Sequence, residues 1–157
     1  MAKVNYVKRK VRTPKDVLKM GIDLCDVMMT DLEKAKRPAL EATKCALDNA
    51  FYTAKIGFLT PGDKKVKSEL NVSSVKKIAR AIFMLEILMR NIDIKNINTK
   101  RELYYVAKGM VKGTPSLKPL DFQDQSESDS VIDFICEMLE AYREEMNCVA
   151  DDRGGQT

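Results

Sequence analysis

Four times along this chain a residue suited to capping a helix stands just ahead of apolar residues spaced three or four apart, a pattern that confines the fold to packed helices. The first is "TPKDVLKMGIDLCDVMMTDLEKA". Thr13 can cap, Pro14 suits the first helical position, and Asp16 favours the positive end of the helix dipole. Leu18, Ile22, Cys25, Met29 and Leu32 recur at helical spacing and form the face expected to pack. The second helix starts at Ser73 or Ser74, with Val75, Ile78, Ala79, Ile82, Leu85 and Met89 inward and Lys76, Lys77 and Arg80 together on the other side. Thr99 and Glu102 form a capping box that starts the third at Lys100, and Gly109 marks its expected end. The fourth is expected to be capped at Ser126, with Glu127 and Asp129 in its first turn and Ile132, Ile135, Met138, Leu139 and Tyr142 on its apolar face.

The segments between are less regular. In residues 38–60, "ALEATKCALDNA" reads as helix while "FYTAKIGFL" could be a strand entering the turn "TPGD", so both readings stay open. "DKKVKSELNVSS" reads as a basic surface segment, "KGTPSLKPLDFQDQ" as a loop, and "NCVADDRGGQT" as a strand running into a Gly-rich turn. Helix, turn, helix, loop, helix, strand and turn is the order of a winged helix-turn-helix, a common nucleic-acid-binding architecture. The expected fold is therefore mainly α, a CAP-like winged helix-turn-helix with an N-terminal helical extension. Residues 1–70 would supply a basic arm and the extension, and residues 71–157 the winged-helix domain. The arm, about a dozen residues long, is expected to be ordered only by a partner.

With 157 residues, 45% apolar and 32% charged, the chain suits one domain facing water. Its longest apolar run, "AIFMLEILM" at 81–89, contains Glu86 and falls far short of the roughly 20 residues that span a bilayer. The basic start has no apolar stretch of a secretory signal, so the expected location is the cytoplasm, without a membrane partner. There is no histidine, and Cys25, Cys45, Cys136 and Cys148 show no C-x-x-C spacing, which argues against a zinc site and leaves no metal ligands to name. Chemistry here must rest on Tyr, Lys, Arg or carboxylates, or on groups from another chain. The net charge of +4 hides an uneven distribution. Residues 1–20 carry seven Lys or Arg against Asp16, residues 61–112 carry twelve against five acids, and residues 121–152 carry eleven acids against Arg143. A basic front and middle fits a polyanion such as nucleic acid, and equally an ordinary solvated surface.

The stretch "NTKRELYYVAKG", residues 98–109, places two tyrosines on the third helix. At about 100° per residue, Leu103, Val106, Ala107 and Met110 define the buried face, Tyr104 flanks it, and Tyr105 points away. Arg101 lies one turn before Tyr105, Lys108 one turn after, and Lys112 follows if the helix reaches that far. Cations so placed would draw a phosphate to the phenol oxygen and stabilise negative charge there. The residues alone leave two readings open. Tyr105 is either a surface aromatic lying over Lys108 or a nucleophile beside a phosphate-binding guanidinium.

"TKRELYY" resembles the active-site motif T-x-R-[DE]-x-[YF]-Y of the A subunit of DNA topoisomerase VI and its meiotic double-strand-break relatives. "GDKKVKSELNV" followed by an apolar helix, and "FQDQSESDSVIDFICEMLEAYREEMNCVADDRGG", are similar to the flanking parts of that family. The resemblance is clear over residues 60–155 and looser before them. It implies that Tyr105 is the attacking tyrosine, that Arg101 lies near the scissile phosphate, and that Glu102 is the motif acid, although its position also suits a capping carboxylate. It further implies a 5′-phosphotyrosyl link to double-stranded DNA, a homodimer of A subunits in the holoenzyme, and an ATPase B subunit through which ATP acts. The arm and first helix are the expected B-subunit contact.

Magnesium in that family is held by a Toprim domain, for which the acidic run from Asp121 to Asp152 is no substitute, so the metal is expected from a Toprim-containing remainder outside this chain. Alone, the chain would then be inactive, and nucleoid-associated in the cytoplasm. Lys64, Lys65, Lys67, Lys76, Lys77, Arg80, Lys100, Lys108 and Lys112 are candidate phosphate contacts. The alternative is a non-catalytic winged-helix DNA-binding protein, or an adaptor between subunits, derived from the same family.

Overall fold

A computed structural model of the chain describes residues 12–44, 47–53 and 58–149. The elements follow in the order α1 (Pro14–Glu33), β1 (Ala39–Thr43), β2 (Ala50–Thr53), β3 (Phe58–Pro61), β4 (Lys65–Glu69), α2 (Val75–Asp93), β5 (Asn98–Thr99), α3 (Lys100–Gly113), α4 (Gln125–Leu139) and β6 (Cys148–Val149). The described residues are mainly helical. Short 3-10 turns at Pro115–Leu120 and Glu144–Met146 lead into and out of α4.

The other helices pack around α2, which touches α1, α3 and α4. Ile78, Ala81, Phe83, Met84, Leu85, Ile87, Leu88 and Ile92 are all buried, so α2 hides most of its circumference and not a single stripe. Val75 is half exposed, at the open end of the helix. Arg80 is also buried, at 8% exposure, contrary to the expectation that it shares an outer side with Lys76 and Lys77. Its guanidinium donates to the Asp121 carbonyl, pairs with Glu127 at 3.2 Å and lies 5.0 Å over the Phe122 ring. A buried cation persists only where such partners replace water.

α1 starts as expected, with a capping box between Thr13 and Asp16. Its packed face is rotated from the expected one: Val17, Gly21 and Met28 are buried, while Ile22, Met29 and Leu32 stay exposed. Gly21 explains the choice, because a Cβ there would meet the Met89 sulfur at 2.8 Å. The chain at Arg12 is pinned to the far end of α4, its backbone N–H donating to Glu145 at 2.6 Å and its side chain to the carbonyls of Leu139 and Glu140.

The ambiguous region from residue 38 resolves into strands. β1 pairs antiparallel with β4 and β2 with β3, and residues between them interrupt the two ladders. Buried Asn49 holds the interruption together, its amide donating to the carbonyls of Lys44, Gly62 and Lys64 while its oxygen accepts from the Lys64 N–H at 3.2 Å. Leu40 and Ala42 point inward and Glu41 outward, and β1 packs on α4.

α3 runs on to Gly113 rather than ending near Gly109, so Lys112 belongs to it. α4 is capped by Asp124, not Ser126, and ends at Leu139 with Glu140 in the left-handed conformation. That stop leaves Tyr142 outside the helix and half exposed instead of on its apolar face. β6 pairs in parallel with β5, Asn98 opposite Cys148 and Thr99 opposite Val149. A wing formed by the expected Gly-rich turn would follow Val149, and the basic arm precedes Arg12; both lie outside the described residues.

Candidate nucleic-acid interface

The position of α3 is fixed at its start. Thr99 is at once the last residue of β5, tied to β6, and the N-cap of α3. Its hydroxyl accepts from the Glu102 N–H at 3.2 Å, and the Glu102 carboxylate accepts from the Thr99 N–H at 2.7 Å, closing the capping box. Leu103, Ala107 and Val111 then bury one face against the core that contains Met146 and Cys148. Val106, expected inward, is half exposed, because the buried arc is centred nearer Ala107.

That anchoring leaves Tyr105 outward, with 57% of its surface exposed. Tyr104 is half-buried against the core, its ring centroid 5.3 Å from that of Tyr105 and tilted by 59°. The Arg101 guanidinium lies 5.9 Å from the Tyr105 ring centroid, within reach of a weak cation–π contact. Lys108 lies 5.8 Å over the Tyr104 ring and pairs with Asp121 at 3.0 Å. The cation expected one turn after Tyr105 is thus engaged with the segment before α4.

Other candidate cations divide by their partners. Lys100 pairs with Asp133 at 2.7 Å, and Lys77 sits 4.4 Å over the Phe134 ring. On β4 and just before it, Lys64 faces Asp48 at 3.7 Å, Lys65 faces Glu140 at 3.6 Å, and Lys67 faces Glu69 at 3.1 Å. These exposed pairs are weak, and an incoming phosphate could replace the carboxylates. Arg80 is held inside the fold. Of the candidate cations among the described residues, Arg101, Lys112, Lys76 and Lys77 are exposed with no carboxylate partner, Lys77 lying over the Phe134 ring instead. Arg101 and Lys112 share the outward face of α3 with Tyr105.

Among the described residues, no group of three or more Cys, Asp or Glu side chains could hold a metal ion. No helix of the described residues is long and apolar enough to cross a membrane. Burial pushes the Cys136 thiol up to about 12 and the Cys148 thiol up to about 11. Thiols so placed stay protonated and are poor nucleophiles. Tyr105, by contrast, presents an exposed phenol with the Arg101 guanidinium beside its ring.

A tyrosine and a guanidinium presented together on an exposed helix face fall inside residues 76–148, which match the family model for type IIB DNA topoisomerases. The A subunit of type 2 DNA topoisomerase 6 from Pyrococcus abyssi is 30% identical over 142 residues, which cover 90% of this chain and 36% of that protein. The protein of the same name from Methanocaldococcus jannaschii is 28% identical over 155 residues, 98% of this chain and 39% of the relative. The A subunit of DNA topoisomerase 6 from Arabidopsis thaliana is 30% identical over 111 residues, 69% of this chain and 23% of the relative. No solved structure matches significantly. The chain belongs to the topoisomerase VI A-subunit family, and it spans 36% to 39% of the length of its first archaeal relatives above.

Proposed function

We propose that this chain is the DNA-binding and DNA-cleaving module of a type IIB topoisomerase A subunit, with Tyr105 as the nucleophile. The observation that carries the reading is the outward placement of Tyr105 beside Arg101 on a helix anchored at its first turn. The Tyr105 phenol oxygen attacks phosphorus, the bond to the 3′ oxygen breaks, and a 5′-phosphotyrosyl link forms. The phenol proton leaves to solvent or to a base from outside this chain, and the departing 3′ oxygen takes one up. Arg101 contributes by neutralising charge that develops on the phosphate oxygens. Glu102 contributes through its capping contact, which sets the start and direction of the helix that carries Tyr105.

The family resemblance suggests magnesium on a Toprim domain outside these residues, where it would stabilise phosphate charge. Exposed apolar residues on α1 support a protein partner as well. Leu18, Ile22, Cys25, Met29 and Leu32 alternate spacings of four and three, the period of a helix–helix seam. Leu18 and Cys25 pack against the core, while Ile22, Met29 and Leu32 are open to solvent. A B-type ATPase subunit docking there, through which ATP hydrolysis is coupled, completes the reading, with a dimer of A subunits in the holoenzyme.

The test is covalent. The chain is incubated with duplex DNA, a Toprim-containing partner and magnesium, denatured, and assayed for protein on 5′ ends. Adducts are expected with wild type and none with Tyr105→Phe; equal results from two proteins that both bind DNA would sink the proposal and leave a non-catalytic DNA-binding protein.

A further inference from the structure

Gly109 is the tenth residue of the fourteen-residue helix α3 and faces solvent. Glycine is among the least favoured residues inside a helix, so one retained there calls for a steric reason. Gly21 has one, since it lets α1 approach Met89. Gly113 is as open as Gly109, but it is the last residue of α3, next to the cap Thr114, where the helix ends in any case. At Gly109 a Cβ would meet nothing within 4 Å, and its backbone is not left-handed. Nothing within the described chain occupies the space that its missing side chain leaves.

The surroundings indicate an anionic occupant. On a helix wheel Gly109 lies on the stripe that begins at Arg101, passes through Tyr105 and ends at Lys112. Arg101 and Lys112 are the cations of α3 without a carboxylate partner among the described residues, whereas Lys100 and Lys108 are paired. Gly109 follows Tyr105 by about 6 Å along the helix axis, and Lys112 by about 10 Å. The result is a flat strip with a cation at each end and an aromatic hydroxyl between them.

We propose that Gly109 is where a nucleic-acid backbone comes closest to α3, with the strand running along the helix from Tyr105 towards Lys112. This rests on the reading of Tyr105 as the nucleophile and deepens it by giving the strand a direction. The absent side chain lets the phosphates next to the scissile one approach the helix backbone, and Lys112 holds the far end of the strand.

The test sets stability against binding in the full chain. Gly109→Ala is expected to melt about 2–4 °C higher, since it gains helix propensity and loses no contact. Gly109→Leu, and Gly109→Gln as a second bulky helix former, are expected to fold at least as stably yet bind duplex DNA about tenfold or more weakly. Ser130→Leu, which adds the same bulk to the exposed face of α4, should bind as wild type does. Wild-type affinity in Gly109→Leu and Gly109→Gln would overturn the proposal while leaving Tyr105 as nucleophile, provided that Tyr105→Phe still abolishes the covalent adduct. Absence of salt-sensitive DNA binding by wild type would remove both.

Discussion

The ammonium of Lys108 lies 3.0 Å from the carboxylate of Asp121, so this cation ties α3 to the segment that enters α4. Arg101, on the same helix, has no carboxylate partner among the described residues and lies 5.9 Å from the Tyr105 ring centroid. The two cations should therefore differ in function. Arg101→Ala is expected to lower the slope of log affinity against log salt by about one and to reduce adduct formation about a hundredfold. Lys108→Ala should alter stability by about 0–1 kcal/mol and change the salt slope less. Titrations at several salt concentrations, with thermal melts, separate the two. A larger slope change for Lys108→Ala than for Arg101→Ala would contradict the assignment.

Capping and chemistry can be separated at Glu102. Its carboxylate accepts from the Thr99 N–H at 2.7 Å, a contact that a glutamine can also make. Glu102→Gln should keep both stability and adduct formation, whereas Thr99→Ala should cost about 1 kcal/mol of stability. Loss of adduct in a Glu102→Gln protein with unchanged melting would show that the negative charge itself takes part.

Arg80 tests the boundary between surface and core. It lies within the fold against Asp121, Phe122 and Glu127, so Arg80→Leu should destabilise the protein by about 1–3 kcal/mol, chiefly through lost hydrogen bonds and packing. The salt dependence of DNA binding should not change. Denaturant unfolding reads the first effect, and an unchanged midpoint would show that the buried contacts contribute nothing.

The same residue shows what the sequence makes legible. Helix existence and starts are local properties, and Thr13 with Asp16 and Thr99 with Glu102 cap α1 and α3 as their spacing indicates. Tyr105 is outward as its helical phase requires. Which apolar arc is buried depends on neighbours distant in sequence. α1 is apolar over more than half its circumference, and the close approach of Gly21 to Met89 selects one half. Arg80 looks like a surface cation until Asp121 and Glu127 fold over it. In β1, the alternation of Leu40 and Ala42 with Glu41 is present in sequence, but residues that favour helices obscure it. No local signal reveals that Lys108 turns to Asp121, because the partner lies thirteen residues away across a loop.

Burial of the thiols fixes an alkaline limit. Cys136 is pushed up to about 12 and Cys148 to about 11 from an ordinary value of 9.0, and desolvation is the main cause for both. The folded state therefore holds these protons more tightly than the unfolded chain, and where the unfolded state binds fewer protons, stability falls as pH rises. Their contribution should be fully present below pH 9.0 and lost progressively as pH climbs towards 11 and 12. Thermal melts across that window should show a decline that is smaller in Cys136→Ser and Cys148→Ala proteins, each compared with its own midpoint at neutral pH. At about pH 8, Cys148 should resist alkylation in the native protein and react once denaturant is added. Rapid native labelling of Cys148 would show that β6 opens, and with it the strand pair that anchors Thr99 and the start of the Tyr105 helix.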